Sequence, residues 1–200
     1  MKSNSFFTAR TLVTIAMLGA IAAVLMFLEV PLPFLAPTFY KMDLSEVPVL
    51  IGGFALGPVA GILIEFLKIL LHLLFKGTQT AFVGELGNFL IGVALMLPAT
   101  LVYRKMRTRK GALVGMIIGT ICIAIAGAAV NAALLLPAYG KAFHMDTSAF
   151  VAMGTAINPA INSLFRFCLL AVAPFNLIKG AITAAVTFLL YKRVRPLLHS

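Results

Sequence analysis

The sequence predicts an all-α integral membrane protein, a bundle of six transmembrane helices, and three observations carry that expectation. The 200 residues are 62% hydrophobic and 11% charged, with a mean hydropathy of +1.06; soluble domains are about half apolar and about a quarter charged. Several apolar runs approach the roughly 20 residues that cross a bilayer. The basic residues gather between or after those runs, at Arg104, Lys105, Arg107, Arg109 and Lys110 and at Lys192, Arg193 and Arg195. The formal net charge of +10 is therefore read as cytoplasmic-loop charge; nucleic acid is not an expected partner.

The elements follow in order. Residues 1–29 lack a small-residue cleavage site after their apolar run, so they read as a retained first span, about 11–28. A Pro-rich loop (Pro31, Pro33, Pro37) leads into a long apolar stretch, 47–75, interrupted at Gly57-Pro58, a natural turn. It reads as two helices, about 47–56 and 59–75, forming a hairpin. The first is short for a 30 Å hydrocarbon core, so a re-entrant or protein-buried position is expected. Further spans cover about 86–103, 112–136 and 174–191. Both basic clusters are placed inside, which puts both termini in the cytoplasm of a multi-pass cell-membrane protein. Ten Lys/Arg then fall inside and four outside (Lys41, Lys76, Lys141 and Arg166). The segment 149–173 is assigned by the same parity to a helical flap on the outer face, with Asn162 and Arg166 on one side at i,i+4 spacing. All 200 residues are read as one membrane domain. No internal repeat marks an inverted-repeat carrier.

Polar groups at membrane depth are expensive and are usually kept for function. Pro174-Phe175-Asn176-Leu177-Ile178-Lys179-Gly180 puts an amide and an ammonium on one helix side. With the span starting at Pro174, both lie just beneath the outer face. Asn offers a donor and an acceptor, and Lys offers donors, a set that suits a planar heterocycle edge of alternating carbonyl and N–H groups; a lysine snorkelling to the headgroups is the structural alternative. Asn131, near the outer end of its span, is either a third ligand contact or interhelical glue. The Gly-rich loop from Lys76 to Phe89 brings Thr80, Glu85 and Asn88, which can line a pocket for a polyol; the alternative is that Thr80 or Gly84 caps the helix and Glu85 complements its dipole. Glu65 and Lys68 read as a structural ion pair, with His72 extending the stripe; a proton relay is the alternative. Ala16, Gly19, Ala20 and Ala23 form a small-residue face on the first span.

Cys122 and Cys168 imply neither a disulfide framework nor a metal site. No Gly-x-x-x-x-Gly-Lys-[Ser/Thr], His-Glu-x-x-His or Gly-x-Ser-x-Gly pattern occurs, so the chain itself lacks a P-loop and the catalytic arrangements of those families. No catalytic residue and no metal are assigned, and an intramembrane enzyme has no candidate constellation. Binding is the expected activity.

The stretch 174–180, Asn131 and Gly84-Glu85-Leu86-Gly87-Asn88-Phe89 resemble the riboflavin-specific substrate-binding S components of energy-coupling factor (ECF) vitamin transporters. Lys41-Met42-Asp43-Leu44-Ser45-Glu46-Val47-Pro48 and Phe54-Ala55-Leu56-Gly57-Pro58-Val59-Ala60-Gly61 fit that pattern too. The resemblance implies capture of riboflavin from outside by a six-helix bundle, as transported substrate with no cofactor. It implies Asn131, Asn176 and Lys179 against the isoalloxazine ring, with Lys41 to Leu44 and Glu85 closing over it. It further implies that Ala16 and Ala20 dock on a membrane-embedded coupling subunit, and that two cytosolic ATPase subunits drive a toppling motion that releases vitamin inward. The residues alone leave open an S component for another vitamin or nucleobase-like solute, and a solitary channel or scaffold.

Overall fold

Among the described residues, five helices are long and apolar enough to cross a bilayer: residues 9–27, 58–76, 83–106, 109–143 and 164–191. The computed structural model describes residues 8–78 and 80–198, with side chains as far as Tyr191. Lys2 and the side chains of Lys192, Arg193 and Arg195, which the charge argument used, lie outside the described residues.

Helix α1 (Ala9–Phe27) starts at Thr8, whose hydroxyl accepts the Thr11 N–H, a standard N-cap. The loop after it carries a two-residue ribbon, β1 (Val30–Pro31) antiparallel to β2 (Lys41–Met42). Short α2 (Glu46–Leu56) turns at Gly57 into α3 (Pro58–Lys76). Gly57 has φ +99°, a region that penalises any Cβ, and Pro58 occupies the first helical position, where its missing N–H is harmless. Helix α4 (Val83–Met106) turns at Arg107 into α5 (Arg109–Val130), capped by the Thr108 hydroxyl.

The next two long helices depart from the sequence expectation. Helix α5 does not end at Leu136-Pro137 but passes through a π-helical turn (Asn131–Leu135) into α6 (Leu136–Phe143). The last long helix does not begin at Pro174. It begins ten residues earlier, as α8 (Leu164–Phe167), passes through a second π-helical turn (Cys168–Val172) and continues as α9 (Ala173–Leu198). Each π turn ends two residues before a proline, at Pro137 and Pro174. A proline inside an α-helix removes one N–H and clashes with the carbonyl four residues back; widening the turn ahead of it lets the helix continue. Of the expected flap, α7 (Thr147–Ile157) is a separate helix, but its C-terminal half belongs to the last long helix. Asn162 sits in the connecting loop and Arg166 in α8, where its guanidinium donates to Ala160 O at 3.3 Å, so the expected i,i+4 pairing does not exist.

Two apolar clusters organise the interior. One joins Val49 and Leu50 of α2, Ile64 of α3, Leu95 and Met96 of α4, and Met116 and Ile123 of α5. The other joins Ala36 of the α1–α2 loop with Phe150, Ile161, Phe167 and Phe175. In lipid the drive for helix association is close packing rather than exclusion of water, and the α4–α5 contact shows it. A Cβ on Gly115 would stand 2.5 Å from the Ala99 carbonyl oxygen, and one on Gly119 2.4 Å from that of Leu95. The small-residue face of α1 divides: Gly19 and Ala23 turn inward, Gly19 against Leu67 of α3, while Ala16 and Ala20 stay exposed among Val13, Met17 and Val24. At the far end, the Tyr103 and Tyr191 hydroxyls pair beside Phe54.

Gly115→Val and Gly119→Val are each expected to lower the melting temperature strongly or abolish folded protein, because a backbone carbonyl cannot move aside. Ile117→Ala, on the exposed face of the same helix, is expected to melt like the parent in a thermal unfolding assay.

Candidate functional site: a cavity beneath the α1–α2 loop

A cavity of about 170 Å³ lies where the α1–α2 loop, the α3–α4 loop, α5 and α9 meet. Its walls include Asn131, Asn176 and Lys179 from the helices, Lys41 from the loop ribbon, and Thr80, Glu85 and Asn88 around the start of α4. Seven of the eight ligand-contact residues expected from the sequence thus converge from four separate segments; Leu44 is not part of the lining. Ala16 and Ala20 are exposed on α1 and are not part of the lining.

The two asparagines owe their positions to local backbone. Asn131 opens the first π turn, and its Nδ2 donates to Gly127 O at 2.7 Å. Asn176 follows the second π turn, and its Nδ2 donates to Val172 O at 2.9 Å. A Cβ on Gly127 would stand 2.5 Å from Asn176 Nδ2, so the absence of a side chain there lets α9 press its amide against α5. Single π turns are frequent at functional sites, and here both flank the cavity. Because the last helix starts at Leu164, Asn176 and Lys179 lie well inside it, roughly 18 Å along its axis for Asn176 at 1.5 Å per residue, not in its first two turns.

The loop supplies partners that the sequence reading did not single out. The Tyr40 hydroxyl donates to Asn131 Oδ1 at 2.6 Å, and Lys179 Nζ donates to Asp43 Oδ2 at 3.0 Å. Both line the cavity, as do Tyr139, Phe175 and Phe39. Asp43 combines burial, which raises a carboxyl pKa, with the ammoniums of Lys179 and Lys68 and hydrogen bonds from Ser45, which lower it; the charges win and hold it at about 2. At Glu29 the same contest runs between burial and hydrogen bonds from Lys41 (2.7 Å) and Lys76, and the carboxyl is again held below its ordinary value. Burial pushes the Tyr40 phenol up, so it stays a donor. The available signal was the run Tyr40-Lys41-Met42-Asp43-Leu44, of which the sequence reading named Lys41 and Leu44 singly, took in Asp43 only as part of the range between them, and left out Tyr40.

The α4 rim is built from hydroxyls on a carboxylate. Thr80 Oγ1 accepts the Gly84 N–H at 3.0 Å, so Thr80 does cap the helix start, and it also donates to Glu85 Oε2 at 2.8 Å; Thr78 donates to the same oxygen at 3.1 Å. Capping and cavity lining are therefore one arrangement. A second cavity, about 570 Å³, lies at the other end of the bundle against Gly57, Tyr103, Arg104 and Arg107. It lacks paired amides, so the convergence of polar side chains, not size, makes the first the candidate site. Among the described residues no group of three His, Cys, Asp or Glu side chains could hold a metal ion.

The arrangement can do chemistry of recognition only. With Asn131 Oδ1 occupied by Tyr40, its remaining N–H is a donor; Asn176 Oδ1 is an acceptor; Lys179 is a donor. Aromatic faces from Tyr40 and Phe175, with ring centroids 5.6 Å apart, complete a slot of mixed apolar and polar character.

The ECF transporter, substrate-specific component family matches residues 10–191. A riboflavin transporter of Staphylococcus aureus (RibU) is 38% identical over 92% of this chain and 90% of its own, and one of Bacillus subtilis (FmnP) is 33% identical over 94% and 93%. A solved structure described as "Structure and mechanism of the S component of a bacterial ECF transporter" superposes with a TM-score of 0.73 at 36% identity, over 96% of this chain and 98% of that one. The chain belongs to the substrate-specific component family of ECF transporters.

Proposed function

We propose that this chain captures riboflavin from outside the cell and passes it across the membrane as the substrate-specific subunit of an ATP-driven ECF transporter. The observation that carries the reading is the donor–acceptor–donor set of Asn131 Nδ2, Asn176 Oδ1 and Lys179 Nζ in one cavity. The pyrimidine edge of an isoalloxazine presents the complement: two carbonyl acceptors flanking one N–H. Glu85, Asn88, Thr80 and Lys41 face the polyol tail, and among the described residues no arginine lines the cavity to demand a phosphate, which favours riboflavin over flavin mononucleotide. The names of the relatives support the same substrate.

Capture requires the loop to yield. Ligand sites usually run to about 300 Å³ or more, above the 170 Å³ found here, and Tyr40 and Asp43 hold the loop onto Asn131 and Lys179. The loop from Leu28 to Ser45 opens to admit the ring and closes over it.

In the membrane, α2 is 11 residues, roughly 17 Å, so α2 and α3 form a hairpin whose turn at Gly57 faces the cytoplasm beside Arg104 and Arg107. This gives six membrane helices with both termini inside. The exposed Ala16 and Ala20 let a helix of the membrane-embedded coupling subunit approach α1 closely, and two cytosolic ATPase subunits supply the energy.

Quenching of riboflavin fluorescence by purified protein is the direct test, and a folded protein that leaves the fluorescence unchanged refutes the reading. Asn176→Ala and Lys179→Ala are each expected to weaken riboflavin by at least about tenfold, since a buried polar partner left unpaired costs roughly 1–3 kcal/mol. Ala20→Leu is expected to leave riboflavin affinity intact while reducing copurification with the coupling subunit and uptake in cells.

A further inference from the structure

Five charged side chains are sealed into the bundle next to the cavity. Lys179 of α9 pairs with Asp43 of the loop, while Lys68 Nζ of α3 stands 2.7 Å from Glu46 Oε1 of α2 and 2.7 Å from Glu65 Oε1 of α3. Lys68 is 1% exposed, Glu46 3% and Glu65 not at all. Three carboxyls face two ammoniums. With every group ionised, one negative charge is uncompensated where a buried ion carries a penalty of several kcal/mol.

The excess localises. Asp43 is matched by Lys179, so Glu46 and Glu65 are left to share Lys68. Glu46 Oε1 accepts a hydrogen bond from Lys68, whereas Glu46 Oε2 and both Glu65 oxygens are buried without a hydrogen-bond partner; Lys68 approaches Glu65 off the hydrogen-bonding direction. An ionised carboxylate accepts only, but a carboxylic acid donates, and two carboxyls at one site resist joint ionisation. The facing position on α4 is Gly92, where a Cβ would stand 2.3 Å from Glu65 Oε1 and 2.9 Å from Glu46 Oε1. The carboxyls themselves take up the space that a side chain at position 92 would need. Asp43 and Lys179 face the pair from the cavity side. His72 lies one turn beyond Lys68 on α3, and the charges that act on it most are those of Lys76, Glu29, Glu85 and Asp43.

We propose that Glu46 and Glu65 form a proton-binding site, in which one proton taken from solvent is shared between the two carboxyls and the five-residue cluster is neutral. The proton supplies the missing donor, Lys68 balances the remaining charge, and the site is complete whether or not a ligand fills the cavity.

Infrared spectroscopy of the purified protein in lipid at neutral pH tests this. The parent is expected to show a carboxylic-acid C=O band that shifts on exchange into D2O and disappears in both Glu65→Gln and Glu46→Gln, because each amide removes the charge that requires the proton. Each single variant is expected to melt near the parent, and the double variant, with Lys68 lacking both partners, far below it. The folded state binds this proton more tightly than the unfolded chain, whose carboxyls ionise at about pH 4.3, so the parent is expected to lose stability relative to Glu65→Gln from that pH upward until the folded site itself gives up the proton. Absence of the band in the parent, or stabilisation by added sodium in its place, overturns the proposal. If a single variant fails to fold, the band of the parent and its loss of stability with rising pH decide the matter alone.

Discussion

The 3.0 Å contact between Lys179 and Asp43 is the joint on which the arrangement of this end of the molecule depends. It crosses 136 residues of sequence and lies away from bulk water, where breaking one partner of a buried pair costs about 3–5 kcal/mol. Asp43 also accepts the Ser45 N–H at 2.8 Å, so its position sets the first turn of α2. Glu46 follows in that turn and holds Lys68 of α3. The Asp43–Lys179 pair therefore ties the α1–α2 loop to α9, and three residues later the Glu46–Lys68 pair ties α2 to α3.

Proline placement does the complementary work along the helix axes. Each of the two longest apolar helices meets a proline partway, and each answers with a π turn ending two residues before it. The turns bring Asn131 and Asn176 to the same level of the bundle, and Gly127 lets the two helices close on each other there. Both side-chain amides then satisfy a carbonyl of their own helix, which fixes their orientation before any ligand arrives. A polar site in an apolar bundle is affordable when its members are half satisfied by the backbone that carries them.

Much of this was legible in the sequence. Apolar run lengths located the long helices, Gly57-Pro58 located the hairpin turn, and the expense of amides and ammoniums in apolar runs singled out Asn131, Asn176, Lys179 and the Glu65–Lys68 pair. The misreadings share a cause. A proline in an apolar run reads as a boundary, because the local penalty is visible and the π turn that relieves it has no signature in residue type; hence the late start given to the last helix. Tyr40 and Glu46 were passed over because their partners, Asn131 and Lys68, are 91 and 22 residues away, beyond any local pattern. The small residues of α1 looked like one face, but Leu67 of α3 takes up Gly19, and only the packing partner decides which small residues remain outside.

The two tethers on the loop, Tyr40 to Asn131 and Asp43 to Lys179, have a kinetic meaning. On the proposed opening of the loop, a ligand would bind at the frequency with which both tethers are released together, and association would run below the diffusional limit. The apparent affinity is reduced by the fraction of time the open form is populated. The same latch, reclosed over a bound molecule, slows escape, so the loop exchanges speed of uptake for length of residence.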